Sequence, residues 1–173
     1  MIAEVARLIK ESKTKLPFGL YICNSVQEEV GLRGAEMIVK KINPNIAIVT
    51  DVCHDTTTPM IDKKQHGEFK CGKGPVITYA PAVHGIIREL ILSTAEAQKI
   101  DIQRDAASRV TGTDTDAFAY NGGGVPSALI SLPLKYMHTT VETVAKSDVE
   151  DVIKLIFETL KKISPKMKLK YLQ

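Results

Sequence analysis

Val26-Gln27-Glu28-Glu29-Val30-Gly31-Leu32-Arg33-Gly34-Ala35 is the stretch that decides how this chain is read. It follows a β-branched and aromatic run, Phe18 to Val26, that reads as a buried strand. It leads into an amphipathic segment, Gly31 to Ile42, that reads as a helix. Two adjacent carboxylates, Glu28 and Glu29, therefore fall where a strand hands over to a helix. In open α/β sheets, ligands bind at the carboxyl ends of strands, where loops converge. A turn there can bring both carboxylates to one site, one to bind a metal and the other to handle a proton. The pair also reads as solvated charge at a helix start, where it suits the helix dipole. Taken alone, it leaves both readings open.

Working outward, Asn43-Pro44-Asn45 stops the helix, and Ile46-Ala47-Ile48-Val49 is a near-continuous apolar run ending in Thr50-Asp51. That is the pattern of an interior parallel strand delivering a carboxylate at its end. Upstream, Ile2, Val5, Leu8 and Ile9 repeat at helical spacing within Met1 to Ser12. Downstream, His54 to Gly74 is a long polar loop, with short strands expected near Glu68–Cys71 and Pro75–Thr78. Ala82 to Gln98 reads as a helix, Asp101 to Asp105 as a short strand, and Ala117 to Tyr120 as a short helix ended by Asn121-Gly122-Gly123-Gly124. Val125 to Leu132 is a further strand. Ser147 to Ile163 is an amphipathic helix, with Ser147 and Glu150 spaced as a capping box. Strands alternating with helices predict an α/β fold, a three-layer α/β/α sandwich with a mostly parallel central sheet.

The 173 residues suit one domain with a real core. A net charge of +3 without a basic stripe gives no argument for nucleic acid. The one dense basic patch, Lys161-Lys162 through Lys166, Lys168 and Lys170, reads as a solvated or frayed terminus. Cys23, Cys53 and Cys71 are an odd number without CxxC spacing, which fits a reducing, cytoplasmic compartment. The first residues lack the apolar core of a signal peptide, and no apolar run is long enough to cross a bilayer. A phosphate loop is not indicated by Gly122 to Gly124, and there is no GxSxG elbow.

Three strand ends now carry ligand-type side chains: Glu28-Glu29, Asp51 and His138, with Asp114 and Asp116 in a fourth loop. Convergence from separate strands is how metal sites on sheets are built. Each group also has a plain reading: Asp51 as a turn or helix cap, His138 bonded to a backbone carbonyl, Asp114 and Asp116 as caps of the next helix. His54 could line the same cleft or be an ordinary loop histidine. His66 and His84 read as surface or loop positions, Cys23 as core and Cys53 as packing.

With those residues in view, the chain resembles the dinuclear-metal glutamyl aminopeptidase family, which includes tetrahedral aminopeptidases and members labelled endoglucanase or cellulase M. Val26 to Ala35 is similar to the family's catalytic segment. The likeness continues in order through Asp51-Val52, Lys73-Gly74-Pro75, Gly112-Thr113-Asp114, Gly124-Val125-Pro126 and His138-Thr139-Thr140-Val141-Glu142. The resemblance implies Glu28 as general acid/base, Glu29 and His138 as ligands of one metal, Asp51 as a ligand of the other, and Asp114 as a substrate-positioning residue. It implies two divalent ions, zinc or cobalt, a peptide substrate trimmed from its N-terminus, and a homo-oligomer, with no nucleic-acid or membrane partner. It also implies a further ligand histidine, a carboxylate bridging both metals and an inserted dimerisation domain, none of which has a counterpart here. The chain is thus similar to the C-terminal part of such a catalytic domain. A missing N-terminal segment is the expected partner, and little activity is expected of the chain alone. A non-catalytic remnant serving as an assembly or binding module is the alternative.

Overall fold

The computed structural model describes residues 1–169. In order the elements are α1 (Ile2–Glu11), α2 (Arg33–Ile42), β1 (Ala47–His54), α3 (Lys63–His66), β2 (Val76–Tyr79), α4 (Gly85–Gln98), β3 (Gln103–Ala106), α5 (Asp114–Tyr120), β4 (Ser127–Leu134) and α6 (Lys146–Lys162). The sheet order is β1-β4-β2-β3. β1 runs parallel to β4 and β2 parallel to β3, and the two pairs meet antiparallel at β2–β4. Helices α1, α4 and α6 pack together over one face, while α2 and α5 pack over β1 and β4 on the other. The expected mostly parallel sheet between helices is therefore present.

Every residue of β4 is buried, as befits a strand covered on both faces. Its alternation sorts the core. Ala128, Ile130 and Leu132 join Ile87, Ile91 and Leu155 on the α4/α6 side. Ala47, Val125 and Val39 form a smaller cluster on the α2 side.

Two buried carboxylates tie down the loop that follows β1. Asp55 accepts hydrogen bonds from the Thr57 N–H (2.7 Å), the Thr57 hydroxyl (2.5 Å) and the Cys71 N–H (2.9 Å). Burial opposes its charge, but these donors outweigh burial and hold its carboxyl at about 2. Asp148, in the first turn of α6, accepts from the Gly72 N–H (2.7 Å) and the Gly74 N–H (3.0 Å). The expected Ser147 capping box is not formed: Ala145 holds the cap position with no side-chain cap bond. Asp148 spends its carboxylate on the neighbouring loop instead.

Several expectations change. Phe18–Val26 is extended but not a strand of the sheet, and among the described residues no backbone group of Phe18–Ser25 makes a backbone hydrogen bond. A slot of about 1710 Å³ separates it from β1. Apolar patterning says which residues want burial, not whether a partner strand stands beside them. Glu68–Cys71 is likewise no strand: Phe69 is buried and bonds only to Thr56, which occupies its backbone locally. The tail is not frayed as far as it is described. Met167 and Leu169 pack against the core, and the His84 imidazole bonds the Leu169 carbonyl at 2.8 Å. Lys170, the last of the basic patch, lies outside the described residues. His84 is buried rather than superficial. No helix among the described residues is long and apolar enough to cross a membrane.

Two stability predictions follow from the anchored loop. Gly72 and Gly74 have φ of +78° and +85°, but a Cβ on Gly72 meets nothing while one on Gly74 would lie 1.9 Å from the Asp101 carbonyl oxygen. Gly72→Ala should cost about 1–2 kcal/mol of left-handed strain, and Gly74→Ala a further ~1–3 kcal/mol of overpacking. Urea denaturation checks this, and equal costs would contradict it. Asp55 has a folded pKa of about 2, below the roughly 3.9 of an unfolded aspartate. Its contribution is therefore fully present above about pH 4 and is lost as pH falls toward 2. Asp55→Asn should cost about 2–3 kcal/mol at pH 7, and the gap from the parent chain should shrink below about pH 4. A gap independent of pH in urea titrations from pH 7 to 3 would contradict this.

Candidate active site

Parallel pairing sends the carboxyl ends of β1 and β4 to the same edge of the sheet, with Asp51 opposite Ser131 and His54 opposite Leu134. Asp51 lies inside β1 rather than at its end, and its Oδ1 accepts the Val52 N–H at 2.7 Å. Beyond β4, the Lys135–Thr143 bridge closes a loop that carries His138. His138 sits at φ +62°, and its N–H donates to Glu142 Oε1 at 2.6 Å.

The carboxylate pair arrives from a compact turn before α2. The Glu28 carbonyl accepts the N–H groups of Gly31 (3.1 Å) and Leu32 (3.0 Å), and Val26 accepts from Gly34 (2.9 Å). A Cβ on Gly34 would lie 2.4 Å from the Val26 backbone, so only glycine lets α2 start this close to the turn. Gln27 and Leu32 have φ of +60° and +56°. Non-glycine residues held in the left-handed region cost about 1–2 kcal/mol each. Here they flank the two carboxylates, and a third such residue is His138 itself.

Glu28, Glu29, Asp51 and His138 all line one cleft of about 530 Å³. His138 Nε2 stands 3.2 Å from Glu29 Oε1, with side chains 66% and 73% exposed. An ion pair that exposed is worth at most about 1 kcal/mol, so it does not hold the loops together; the backbone turns do. Burial raises the Glu28 carboxyl above its ordinary value, and Asp51, Glu29 and Asp114 add to the rise while His138 opposes it. Asp51 is also raised, first by burial, with the Val52 N–H working against Asp114 and Glu29. These shifts describe acidic groups drawn together with little positive charge among them.

Other residues occupy the cleft that sequence reasoning weighed lightly. His54 and His66 face each other edge-on, ring centres 5.7 Å apart, and Arg109 lines the same wall. His54 is lowered by burial, then by His66 and His138. His66 belongs to α3, a single turn capped by Asp62 accepting the Lys64 N–H. Four residues are too few for any helical period, so only the Asp62 cap could have signalled it. Cys53 lines the cleft, but burial pushes its thiol up to about 12 and argues against a cysteine nucleophile.

Asp114 lies elsewhere. It opens α5, which Thr113 caps by accepting the Thr115 N–H. The Ser25 hydroxyl donates to Asp114 Oδ2. Among the described residues, Asp114 Oδ1 is buried with no hydrogen-bond partner. The residue lines the slot beside β1 rather than the cleft, although it is near enough to act on Glu28 and Asp51. Asp116 has a structural duty, accepting the Thr111 and Gly112 N–H groups.

As a cation site, the cleft is partial. Glu29 and His138 offer an anionic oxygen and an imidazole nitrogen side by side, with Asp51 near them, which is zinc-type donor chemistry. Among the described residues, however, no three such side chains are grouped to hold a metal ion. A catalytic zinc takes three protein ligands.

Comparison with known proteins bears on the same residues. The family model for M42 glutamyl aminopeptidase matches residues 1–155. The lysyl aminopeptidase of Pyrococcus furiosus is 35% identical over 162 residues, 94% of this chain and 45% of that protein. Among solved structures, a TET aminopeptidase from a marine sediment Thaumarchaeota archaeon superposes with a TM-score of 0.84 at 28% identity, over 95% of this chain and 46% of that one. The TET1 peptidase of Pyrococcus horikoshii, which can assemble into a tetrahedron or a large octahedral shell, superposes with a TM-score of 0.63 at 30% identity, over 80% of this chain and 40% of that one. The chain thus spans about half the length of the relatives it matches. With the match covering most of its residues and the cleft in the same segments, the chain belongs to the M42 glutamyl aminopeptidase family.

Proposed function

We propose that residues 1–173 are the C-terminal part of a metal-dependent aminopeptidase catalytic domain, and that this part hydrolyses N-terminal residues from peptides only when further polypeptide completes its ligand set. The observation that carries this is the meeting of Glu28, Glu29, Asp51 and His138, from three separate segments, in one open cleft. Family membership supports the peptidase chemistry.

In this reading Glu29 and His138 bind one divalent cation, zinc or cobalt, and Asp51 contributes to a second. Bound cations supply Lewis acidity for the scissile carbonyl. Glu28 is the proton carrier: it accepts a proton from the attacking water and returns it to the leaving amine. It lies beside Glu29 but less exposed, so it can reach the water without competing for a cation. The cleft is open to solvent at the Glu29–His138 end, which suits a peptide entering by its terminus. Asp114 acts indirectly, holding Ser25 and hence the approach to the turn that bears Glu28. The assembled enzyme is a homo-oligomer, in line with the shells formed by the P. horikoshii relative.

The test uses the chain alone and the chain co-expressed with the unmatched part of a family enzyme, each given zinc or cobalt and a panel of aminoacyl-p-nitroanilides. The chain alone should turn over little. The completed enzyme should release N-terminal residues, and Glu28→Gln should lower kcat by about 10²–10⁴ with metal content unchanged. His138→Ala should lose metal as well as activity. A completed enzyme that binds metal but is untouched by Glu28→Gln would overturn the assignment. A complex that forms and cleaves nothing would favour the assembly-module reading.

A further inference from the structure

The cleft carries two imidazoles that the proposed peptidase chemistry does not use. His54 and His66 face each other edge-on with ring centres 5.7 Å apart, and both line the cleft. Their backbones are fixed independently. His54 closes β1 in register with Leu134, and the next N–H, of Asp55, donates to the Leu134 carbonyl at 2.9 Å. The His66 N–H donates to the Asp62 carbonyl at 3.0 Å in α3. Thr56 draws the chain back from one to the other: its N–H donates to the Phe69 carbonyl at 2.9 Å and its hydroxyl oxygen accepts the Phe69 N–H at 3.0 Å. Among the described residues neither ring makes a hydrogen bond or an ion pair, so their nitrogens have no protein partner to give up.

We infer that His54 and His66 form a cation site of their own, distinct from the Glu29, Asp51 and His138 donors, for an imidazole-preferring divalent cation of the nickel, copper or zinc class. The ring spacing fits. Such a cation lies about 2.0–2.1 Å from the imidazole nitrogen, hence about 3.2 Å from the ring centre. Two rings sharing it stand about 4.5–6.4 Å apart for any angle at the cation from a right angle to a straight line. The observed 5.7 Å lies inside that range. Ring rotation about the broad terminal torsion can aim one nitrogen of each at the shared point. His54 is held below the ordinary imidazole value, by burial first, so its ring is neutral and keeps a lone pair for a ligand at pH 7. Imidazole suits nickel, copper and zinc, whereas magnesium prefers oxygen donors. No third histidine, cysteine or carboxylate is grouped with the pair among the described residues, so water completes the coordination. The carboxylates of Glu28, Glu29 and Asp51 in the same cleft favour the added charge, and Arg109 opposes it. A hydrated cation held here takes up room in that cleft. The inference needs only the two rings and does not depend on the peptidase reading.

The experiment is calorimetric titration of Ni²⁺ into the untagged chain, with the histidine ring signals followed by nuclear magnetic resonance. Substoichiometric Ni²⁺ should broaden the His54 and His66 ring signals together, ahead of those of His138. His66 is exposed, so His66→Ala should match the parent by circular dichroism. Its Ni²⁺ affinity should fall at least about tenfold, because losing a partner that merely orients a ligand already costs about 10–100-fold. His54→Gln should show the same loss. Excess Mg²⁺ should leave the titration unchanged. Broadening led by His138, an unchanged affinity in either variant, or displacement by Mg²⁺ would overturn the site. So would His54 and His66 signals that stay sharp, which would reduce the edge-on contact to packing between two side chains. These readouts need no catalysis: Ni²⁺ bound by the pair in a chain that never cleaves a peptide keeps the site and removes only the peptidase reading.

Discussion

The parallel ladder between β1 and β4 is the constraint on which the rest depends. Eight residue pairs hold the two strands in register. Because both strands run the same way, whatever follows them emerges at one edge, and Asp51 and His138 come to line the same cleft. Antiparallel pairing would have sent them to opposite ends. The third contributor, the Glu28-Glu29 turn, is placed by a different device. Gly34 lets α2 begin against the Val26 backbone, and left-handed residues at Gln27 and Leu32 fold the turn back toward the strands. Side-chain attraction has little to do with it, since the Glu29–His138 pair is largely solvated.

The same ladder leaves the other edge of β1 free, and that free edge leads to the acidic cluster. The open edge and the short donor set are thus two views of one geometric fact. A sheet that stops at β1 also stops beside Asp51. Burial and like charge raise Glu28 and Asp51 together, the electrostatic cost of gathering carboxylates with His138 as the main opposing charge at Glu28. Such clusters persist where the surrounding backbone over-determines them, and here positive-φ residues occur on both loops that carry the donors.

Much of the framework was legible in the residues. β4 is buried along its whole length and its apolar residues, interrupted by Ser131 and Pro133, mark a strand; α4 and α6 have the length and spacing of helices. Glu28, Glu29, Asp51 and His138 were legible as candidate donors, and parallel order accounts for Asp51 and His138 sharing an edge, whereas Glu28 and Glu29 arrive on a turn before α2 and not at a strand end. Legibility failed where the outcome depends on a neighbour. Phe18–Val26 has strand composition, but among the described residues no strand lies beside it. Ser147 has the spacing of a cap, yet Asp148 nearby does the structural work through a different loop. The bond from the Ser25 hydroxyl to Asp114 joins residues far apart in sequence, and no local pattern announces it. His66 was missed because one helical turn leaves no period to find.

The central claim is that three chain segments bring their donors to one cation-attracting cleft even before the ligand set is complete. Manganese-induced line broadening in nuclear magnetic resonance spectra of the isolated chain tests it most directly, since it registers weak binding. Substoichiometric Mn²⁺ should broaden the amide signals of Glu28–Val30, Asp51–Val52 and Met137–Thr139 first and together. Broadening centred on any other acidic surface, or on only one of those three segments, would contradict the account.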